Sequence, residues 1–376
     1  MTLSLYVHFP WCVRKCPYCD FNSHPLRGAL QTADYLAALE ADAREALAEV
    51  PHAGIATVFF GGGTPSLFPP SAFAQLLDAL APWLAADAEV TMEANPGTTE
   101  HSDFRGYRLA GINRLSLGAQ SFEAAQLERL GRIHAAADTR RAFEQARRGG
   151  FDNINLDLMY ALPEQSLAAA LEDLREALSL GPEHISWYQL TIEPKTEFAR
   201  RPPSLPDDEL AAEMDSAGRR LLAEAGFERY EISAYAQTRP DRDLRCRHNL
   251  NYWRFGNYIG VGAGAHGKLS RAIATGLQVV RTAKAAQPRL YLAAPLNTET
   301  RQVAADELPV EFLMNALRLT QGVAFEAFES GTGLPRSVLQ PVWDELADLG
   351  LVCRTRLAAT ELGLRYLDGV LARFLT

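Results

Sequence analysis

The chain has 376 residues, 47% of them hydrophobic and 22% charged, with a formal net charge of −9 at pH 7. Such a composition suits a globular protein with room for one large domain and a smaller one. The acidic balance speaks against a broad nucleic-acid face, which needs cationic side chains opposite phosphate, and no apolar stretch approaches the ~20 residues of a membrane span.

The first segment, "MTLSLYVHF", has neither a basic start nor a long apolar core, so no signal peptide is expected. Five cysteines, an odd number, without an export signal point to the reducing cytoplasm. From there β-rich runs recur at 3–9, 56–62, 89–95, 114–120, 153–159 and 184–190. Amphipathic segments lie between them at Tyr35–Val50, Ser71–Leu84, Arg140–Gly149 and Leu167–Leu180. Strands that alternate with helices read as right-handed βαβ units around a parallel sheet. The expected fold is α/β, a partial (β/α)6 barrel, with a doubly wound open sheet as the competing arrangement.

Beyond Glu193 the pattern changes. "RRPPSLPDDELAAEMDSAGRRLLAEAGF" reads as a helix that starts near Asp207 or Asp208 and ends at Gly226. A strand-like "RYEISAYA" follows, then the aromatic and glycine-rich stretch 248–267, whose glycines from Gly260 to Gly267 are read as packing and turns. From about Glu307 onward helices and a short strand candidate, "GLVCRT", suggest a mostly helical, winged-helix-like C-terminal domain. The expected division is a barrel at 1–195, a connecting α/β region at 196–305 and the helical domain at 306–376.

The ends of the six strands carry the polar chemistry: the cysteines from Cys12, then "GGGTP", "EANP", "GAQS", "DLMY" and "YQLTIEP". In parallel α/β folds the C-terminal strand ends converge on one ligand-binding face. Six such endings therefore address one site. Among them, "PWCVRKCPYCDF" holds Cys12, Cys16 and Cys19 in a C-x3-C-x2-C pattern. Disulfides would leave a thiol over and do not suit the cytoplasm. A Cys3His zinc site could draw its fourth ligand from His8 or His24. An iron–sulfur cluster with three protein thiolates would leave one iron open to an outside ligand.

Spacing, loop position and fold pattern together resemble the radical SAM superfamily. "YVHFPWCVRKCPYCDFNSH", "GGGTPS", "MEANPG", "LSLGAQSF", "LGRIH", "NLDLMYALP" and "HNLNYW" are similar to its oxygen-independent coproporphyrinogen oxidase-like family. The resemblance implies a [4Fe-4S] cluster on Cys12, Cys16 and Cys19. It implies an S-adenosylmethionine pocket from Tyr6, Tyr18, Gly62, Gly63, Thr64, Glu93, Gln120, Arg132 and Asp157. The chemistry is consistent: carboxylates can hold an ammonium and hydroxyls, and Arg132 can pair with a carboxylate. The plainer readings are a solvated loop arginine for Arg132 and a structural amide for Gln120, while Glu93 and Asp157 in apolar strands would need a partner.

Two departures separate the chain from the oxidases it resembles. Those enzymes have a fourth cysteine where Phe21 stands here, and an extension before the cysteines. Both point to the heme-chaperone branch of the same family. For that branch the resemblance implies heme as cargo, heme-dependent respiratory proteins as acceptors, a homodimer and peripheral membrane association. The heme segment would be "CRHNLNYW", with His248 as axial ligand, Cys246 as the alternative, and Asn249, Tyr252 and Trp253 shaping the pocket. The plainer reading is that His248 and Asn249 hold a rigid turn while the aromatics pack. The oxidase itself, and a radical SAM enzyme acting on heme, stand as the competing functions.

Overall fold

Six parallel strands separated by helices form the centre of the chain, as the alternation of its apolar runs predicts. The computed structural model describes residues 3–48, 50, 54–101, 103–274 and 276–375. In chain order its strands are β1 (Leu3–Phe9), β2 (Trp11–Cys12), β3 (His24–Pro25), β4 (Ile55–Gly62), β5 (Leu84–Ala94), β6 (Arg114–Gln120), β7 (Ile154–Tyr160) and β8 (His184–Gln189). These are followed by β9 (Phe227–Arg229), β10 (Ala234–Gln237), β11 (Asn257–Val261), β12 (His266–Ile273), β13 (Gly276–Ala283) and β14 (Glu299–Gln302). Twelve strands make one sheet in the order β14-β13-β12-β11-β1-β4-β5-β6-β7-β8-β10-β9. Its central run, β1 and β4 to β8, is parallel throughout. β1 and β8 are not paired, so the barrel is partial and open on one side.

Helices fall where the strand spacing demands them. Thr32–Ala48, Pro70–Leu80, Ala136–Arg148 and Leu167–Ser179 connect successive strands. Ser166 caps the last of these by accepting from the Ala169 N–H, and Asp207 caps Asp208–Glu224 by accepting from the Leu210 N–H. The second helix stops at Leu80 rather than at Leu84. Pro82 cannot continue it, so Ala81–Trp83 tighten into a 3-10 turn and β5 begins at once.

Along each central strand the two faces differ. Leu5, Val7, Val58, Phe60, Met92, Leu115, Leu117, Leu156 and Ile185 pack against the helices in one core. The alternating positions, one residue away, turn into the barrel because side chains along a strand change face at every step. They are mostly polar: Ser4, Tyr6 and His8; Thr57; Glu89, Thr91 and Glu93; Arg114 and Ser116; Asn155 and Asp157; His184, Ser186 and Tyr188. The register lines them into rungs, with Ser4 opposite Thr57, Thr57 opposite Glu89, Ser116 opposite Asn155, and Asn155 opposite His184.

The remainder extends this sheet at both edges. "RYEISAYA" is not one strand: it splits into β9 and β10, which pair antiparallel, because buried Glu231 turns the chain by accepting from the Ser233 N–H and hydroxyl. Strands β11 to β14 continue the sheet beyond β1. The stretch that follows β13 is tied to the first helix by a buried ion pair, Lys284 Nζ to Asp42 Oδ1 at 2.5 Å. Tyr291 donates to the same carboxyl at 2.9 Å. A second core gathers helices Leu308–Ala316, Phe325–Thr332 and Val342–Asp348. "GLVCRT" forms only the single bridge Val352 to Ala359, since the chain bends at 354–356 before a ladder can grow. Among the described residues no helix is long and apolar enough to cross a membrane.

Gly218 lies inside the helix Asp208–Glu224, where glycine is ordinarily unfavourable. A Cβ there would run into the buried Trp187 ring, so the close approach requires it. Gly369, in the helix Leu367–Ala372, faces open space. Gly218→Ala should therefore lower stability by about 1–3 kcal/mol through overpacking, whereas Gly369→Ala should raise it by about 0.5–1 kcal/mol. Denaturant midpoints of the two variants check this; a stabilised Gly218→Ala would contradict the packing described.

Candidate functional site

A pocket of about 430 Å3 opens at the C-terminal ends of the central strands. It brings together Cys12, Cys16, Tyr18, Cys19, Gly62, Gly63, Thr64, Glu93, Gln120, Arg132 and Asp157. Of the cluster and cofactor residues expected from sequence, Tyr6 alone is not a wall of it. Its hydroxyl turns instead to His8 Nδ1 at 3.0 Å, and its ring stacks on Phe59 beneath the pocket.

The cysteine loop leaves β1 and returns through β3, which pairs parallel with β2 so that Trp11 stands opposite His24. All five cysteines of the chain are free thiols, so the disulfide alternative is not realised. Each of the three loop sulfurs meets a polar side chain. Thr64 donates to Cys12 Sγ at 3.5 Å, Arg132 donates to Cys16 Sγ at 3.7 Å, and the Ser23 hydroxyl lies 3.6 Å from Cys19 Sγ. Donors of this kind stabilise thiolate ligands. Burial pushes the Cys12 and Cys19 thiols up in the absence of a metal. Of the two candidate fourth zinc ligands, His8 is engaged at both nitrogens, Nε2 donating to the Asn22 carbonyl at 2.8 Å and Nδ1 lying 3.0 Å from the Tyr6 hydroxyl, while His24 turns its Nε2 to Asn22 Oδ1 at 3.2 Å. Among the described residues no three His, Cys, Asp or Glu side chains converge on a single ion.

The glycine turn after β4 seals the other side of the loop. Gly63 N–H donates to the Phe9 carbonyl at 2.6 Å and Thr64 N–H to the Trp11 carbonyl at 2.8 Å. Gly62 has a φ of 110° and lies so close to His8 that any Cβ would clash with the imidazole. Two carboxyl groups face this turn across the pocket. Glu93 accepts the Gly62 N–H at 3.1 Å, and Asp157 accepts from Ser116 at 2.9 Å and from Asn155 at 2.8 Å. Among the described residues neither has an ion pair. Burial, followed by repulsion from Asp157, pushes the Glu93 carboxyl up to about 8. Such a pair is matched to a cationic, hydroxyl-bearing ligand.

Arg132 is a pocket residue, not a solvated one. Its Nη2 donates to the Gly118 carbonyl at 2.8 Å, and its Nε is buried without a partner among the described residues. Gln120 holds a left-handed φ of 68° at the end of β6, with its Oε1 accepting from Tyr188 at 2.7 Å. A non-glycine residue in that region marks strain of the kind that collects at binding sites. Sequence reasoning passed over Tyr188 and Ser116, which also line the pocket. Strand alternation carried the signal, since Ser186 and Tyr188 share the phase of the inward residues on β8.

The segment "CRHNLNYW" lies elsewhere. It forms the short helix Arg247–Trp253 against the closed end of the barrel. His248 is 1% exposed, with Nδ1 2.8 Å from the Thr57 hydroxyl and Nε2 2.7 Å from the Tyr252 hydroxyl. Burial lowers its pKa to about 3. In this arrangement neither ring nitrogen is open to an iron. Cys246 is buried too, its thiol directed at Glu89 and raised to about 12 by burial. Tyr252 packs on Tyr258, and Trp253 lies under the Arg318 guanidinium, with Asn249 half-buried on the same helix.

The sequence pattern of the radical SAM superfamily matches residues 6–177. The chain is 47% identical to "Heme chaperone HemW" of Escherichia coli (strain K12), over 99% of this chain and 98% of that protein. It is 34% identical to "Heme chaperone HemW" of Bacillus subtilis (strain 168), over 93% of this chain and 92% of that one. Among solved structures, the E. coli coproporphyrinogen III oxidase HemN, described as a radical SAM enzyme, shares the fold with a TM-score of 0.77 at 22% identity. The superposition covers 99% of this chain and 90% of that one.

The raised Glu93 group keeps a proton in the folded chain at pH values where the unfolded chain, near 4.5, has lost it. Stability of the ligand-free protein should therefore fall as pH rises from about 4.5 to about 8, by at most about 1.4 kcal/mol per pH unit from this group. Glu93→Gln should remove that component and be the more stable protein at pH 8. Urea unfolding at pH 5.5 and pH 8 checks it, and equal pH slopes in both proteins would rule it out.

Proposed function

The chain belongs to the HemW family of heme chaperones within the radical SAM superfamily, and from that premise we propose that it binds heme and delivers it to heme-dependent proteins. The observation that carries the reading is 47% identity to a heme chaperone along essentially the whole of both chains. The pocket at the strand ends is the second support, because its side chains suit the two cofactors of a radical SAM protein.

Cys12, Cys16 and Cys19 would hold a [4Fe-4S] cluster. When bound, the cluster supplies a single electron next to an iron that has no protein ligand. Thr64, Arg132 and Ser23 direct hydrogen bonds or hydroxyls at the three sulfurs, donors that would support them as thiolate ligands of the cluster. Glu93 and Asp157 would receive the ammonium and hydroxyl groups of S-adenosylmethionine, and the Arg132 guanidinium in the same pocket would pair with its carboxylate. Gly62 and Gly63 offer backbone groups without a side chain in the way, and Tyr18 closes the loop beside Cys16.

Phe21 separates this reading from the oxidase. It stands where the oxidase resemblance asks for a fourth cysteine, 60% exposed at the mouth of the pocket. An apolar ring there can hold neither an iron nor a proton. Respiratory heme proteins as acceptors, a homodimer and peripheral membrane association complete the proposal.

The test reconstitutes the cluster anaerobically, titrates heme, and follows transfer to an apo-cytochrome, with coproporphyrinogen turnover assayed alongside. Heme uptake with transfer and no vinyl formation is expected; vinyl formation on the porphyrinogen would sink the carrier reading in favour of the oxidase. Cys16→Ser should lose the iron–sulfur absorbance, and stoichiometric zinc without iron in the wild type would end the cluster assignment.

A further inference from the structure

With His248 and Cys246 sealed in the barrel, a bound heme must find its partners elsewhere. The other buried imidazoles do not reach an open cavity: His134, 4% exposed, meets the Ala119 carbonyl through Nε2 at 3.1 Å and keeps its Nδ1 buried. His8 contacts Tyr6 and the Asn22 carbonyl, and His184 contacts Asn155 at 2.6 Å and Tyr230 at 2.8 Å. His24 is different. It lines a second cavity, of about 520 Å3, open to solvent between the exit of the cysteine loop and the helix Pro288–Ala293. That volume lies within the range of small-molecule sites.

Three features of this cleft belong together. Its floor and one wall are apolar, made by the largely buried Trp11 with Pro288 and Leu292. Two guanidiniums, Arg27 and Arg289, stand on opposite segments at its edge, both exposed and without an ion pair among the described residues. The third feature is the imidazole. His24 Nε2 faces two oxygen acceptors, Asn22 Oδ1 at 3.2 Å and the Ala286 carbonyl at 3.3 Å. It therefore carries the proton, which leaves the Nδ1 lone pair without a partner among the described residues.

An apolar slot, two unpaired guanidiniums and an imidazole with a free lone pair match one ligand chemistry: a planar tetrapyrrole with two carboxylates around a metal. Guanidinium pairs carboxylate bidentately, and the exposed edge of Trp11 with Pro288 and Leu292 offers apolar contact to the macrocycle. The walls are held in place. Tyr291, on the same helix as Arg289, is anchored on Asp42, and Asn22 Nδ2 donates to the Ala263 and Ala286 carbonyls at 2.9 Å each. We propose that heme binds in this cleft, its carboxylates on Arg27 and Arg289, its face against Trp11 and its iron served by His24. The inference rests on the heme-carrier reading and gives it a location.

The cluster-loaded full chain should be titrated with heme and with heme dimethyl ester, read by the Soret band and by quenching of tryptophan fluorescence. Arg27→Ser/Arg289→Ser changes only exposed side chains, so its thermal unfolding should match wild type. Its heme affinity should drop at least tenfold, and the wild type should bind the dimethyl ester as weakly as this variant binds heme. His24→Ala should shift the Soret maximum, while His266→Ala, an exposed control, should not. Heme bound equally well by wild type and the double-arginine variant overturns the location while sparing the carrier reading. Wild type that takes up no heme at all overturns both.

Discussion

The carboxyl group of Glu89 is buried at the closed end of the barrel, where it accepts the backbone N–H groups of Arg247 at 3.2 Å and His248 at 3.1 Å. Both donors belong to the first turn of a helix and would otherwise be orphaned in the interior. Arg114, 2% exposed, lies close enough to Glu89 and Asp157 to share their field. Around this contact the chain is committed to one path. The segment after β10 must cross beneath the barrel so that its helix can reach Glu89, and only then can β11 rise beside β1.

Satisfying the inward polar residues explains why the "HNLNYW" segment is placed as it is. His248 bridges Thr57 and Tyr252, and Thr57 in turn donates to Ser4 at 2.7 Å. Asn155 joins Ser116 to His184, and Tyr230 closes that chain on the Cys246 N–H. Buried polar groups are costly when left unpaired, and networks of this sort specify a single arrangement. A residue set that resembles a ligand site thus serves as the floor under the cofactor pocket.

A second joint, Asn22, couples the cysteine loop to the far edge of the sheet. Its backbone carbonyl receives His8, its amide nitrogen serves residues 263 and 286, and its amide oxygen meets His24. The thiols at one end of the loop and the cleft at the other are therefore held by the same side chain.

The recurrence of six β-rich runs between amphipathic segments, and the endings "GGGTP", "GAQS" and "DLMY", were enough to place the parallel barrel and to gather one site at its rim. That much is local, since side-chain direction along a strand follows from position alone. The cysteine spacing pointed to a cluster over zinc or a disulfide, and Phe21 to a heme carrier over the oxidase. What only the tertiary structure decided depends on contacts across long separations: that Tyr6 lies below the pocket, that His248 is bonded at both nitrogens to residues on other elements, and that Trp11 and His24 share a cleft with Arg289. Sequence records which groups can bond; packing determines which of them are already bonded, and so which remain free for a ligand.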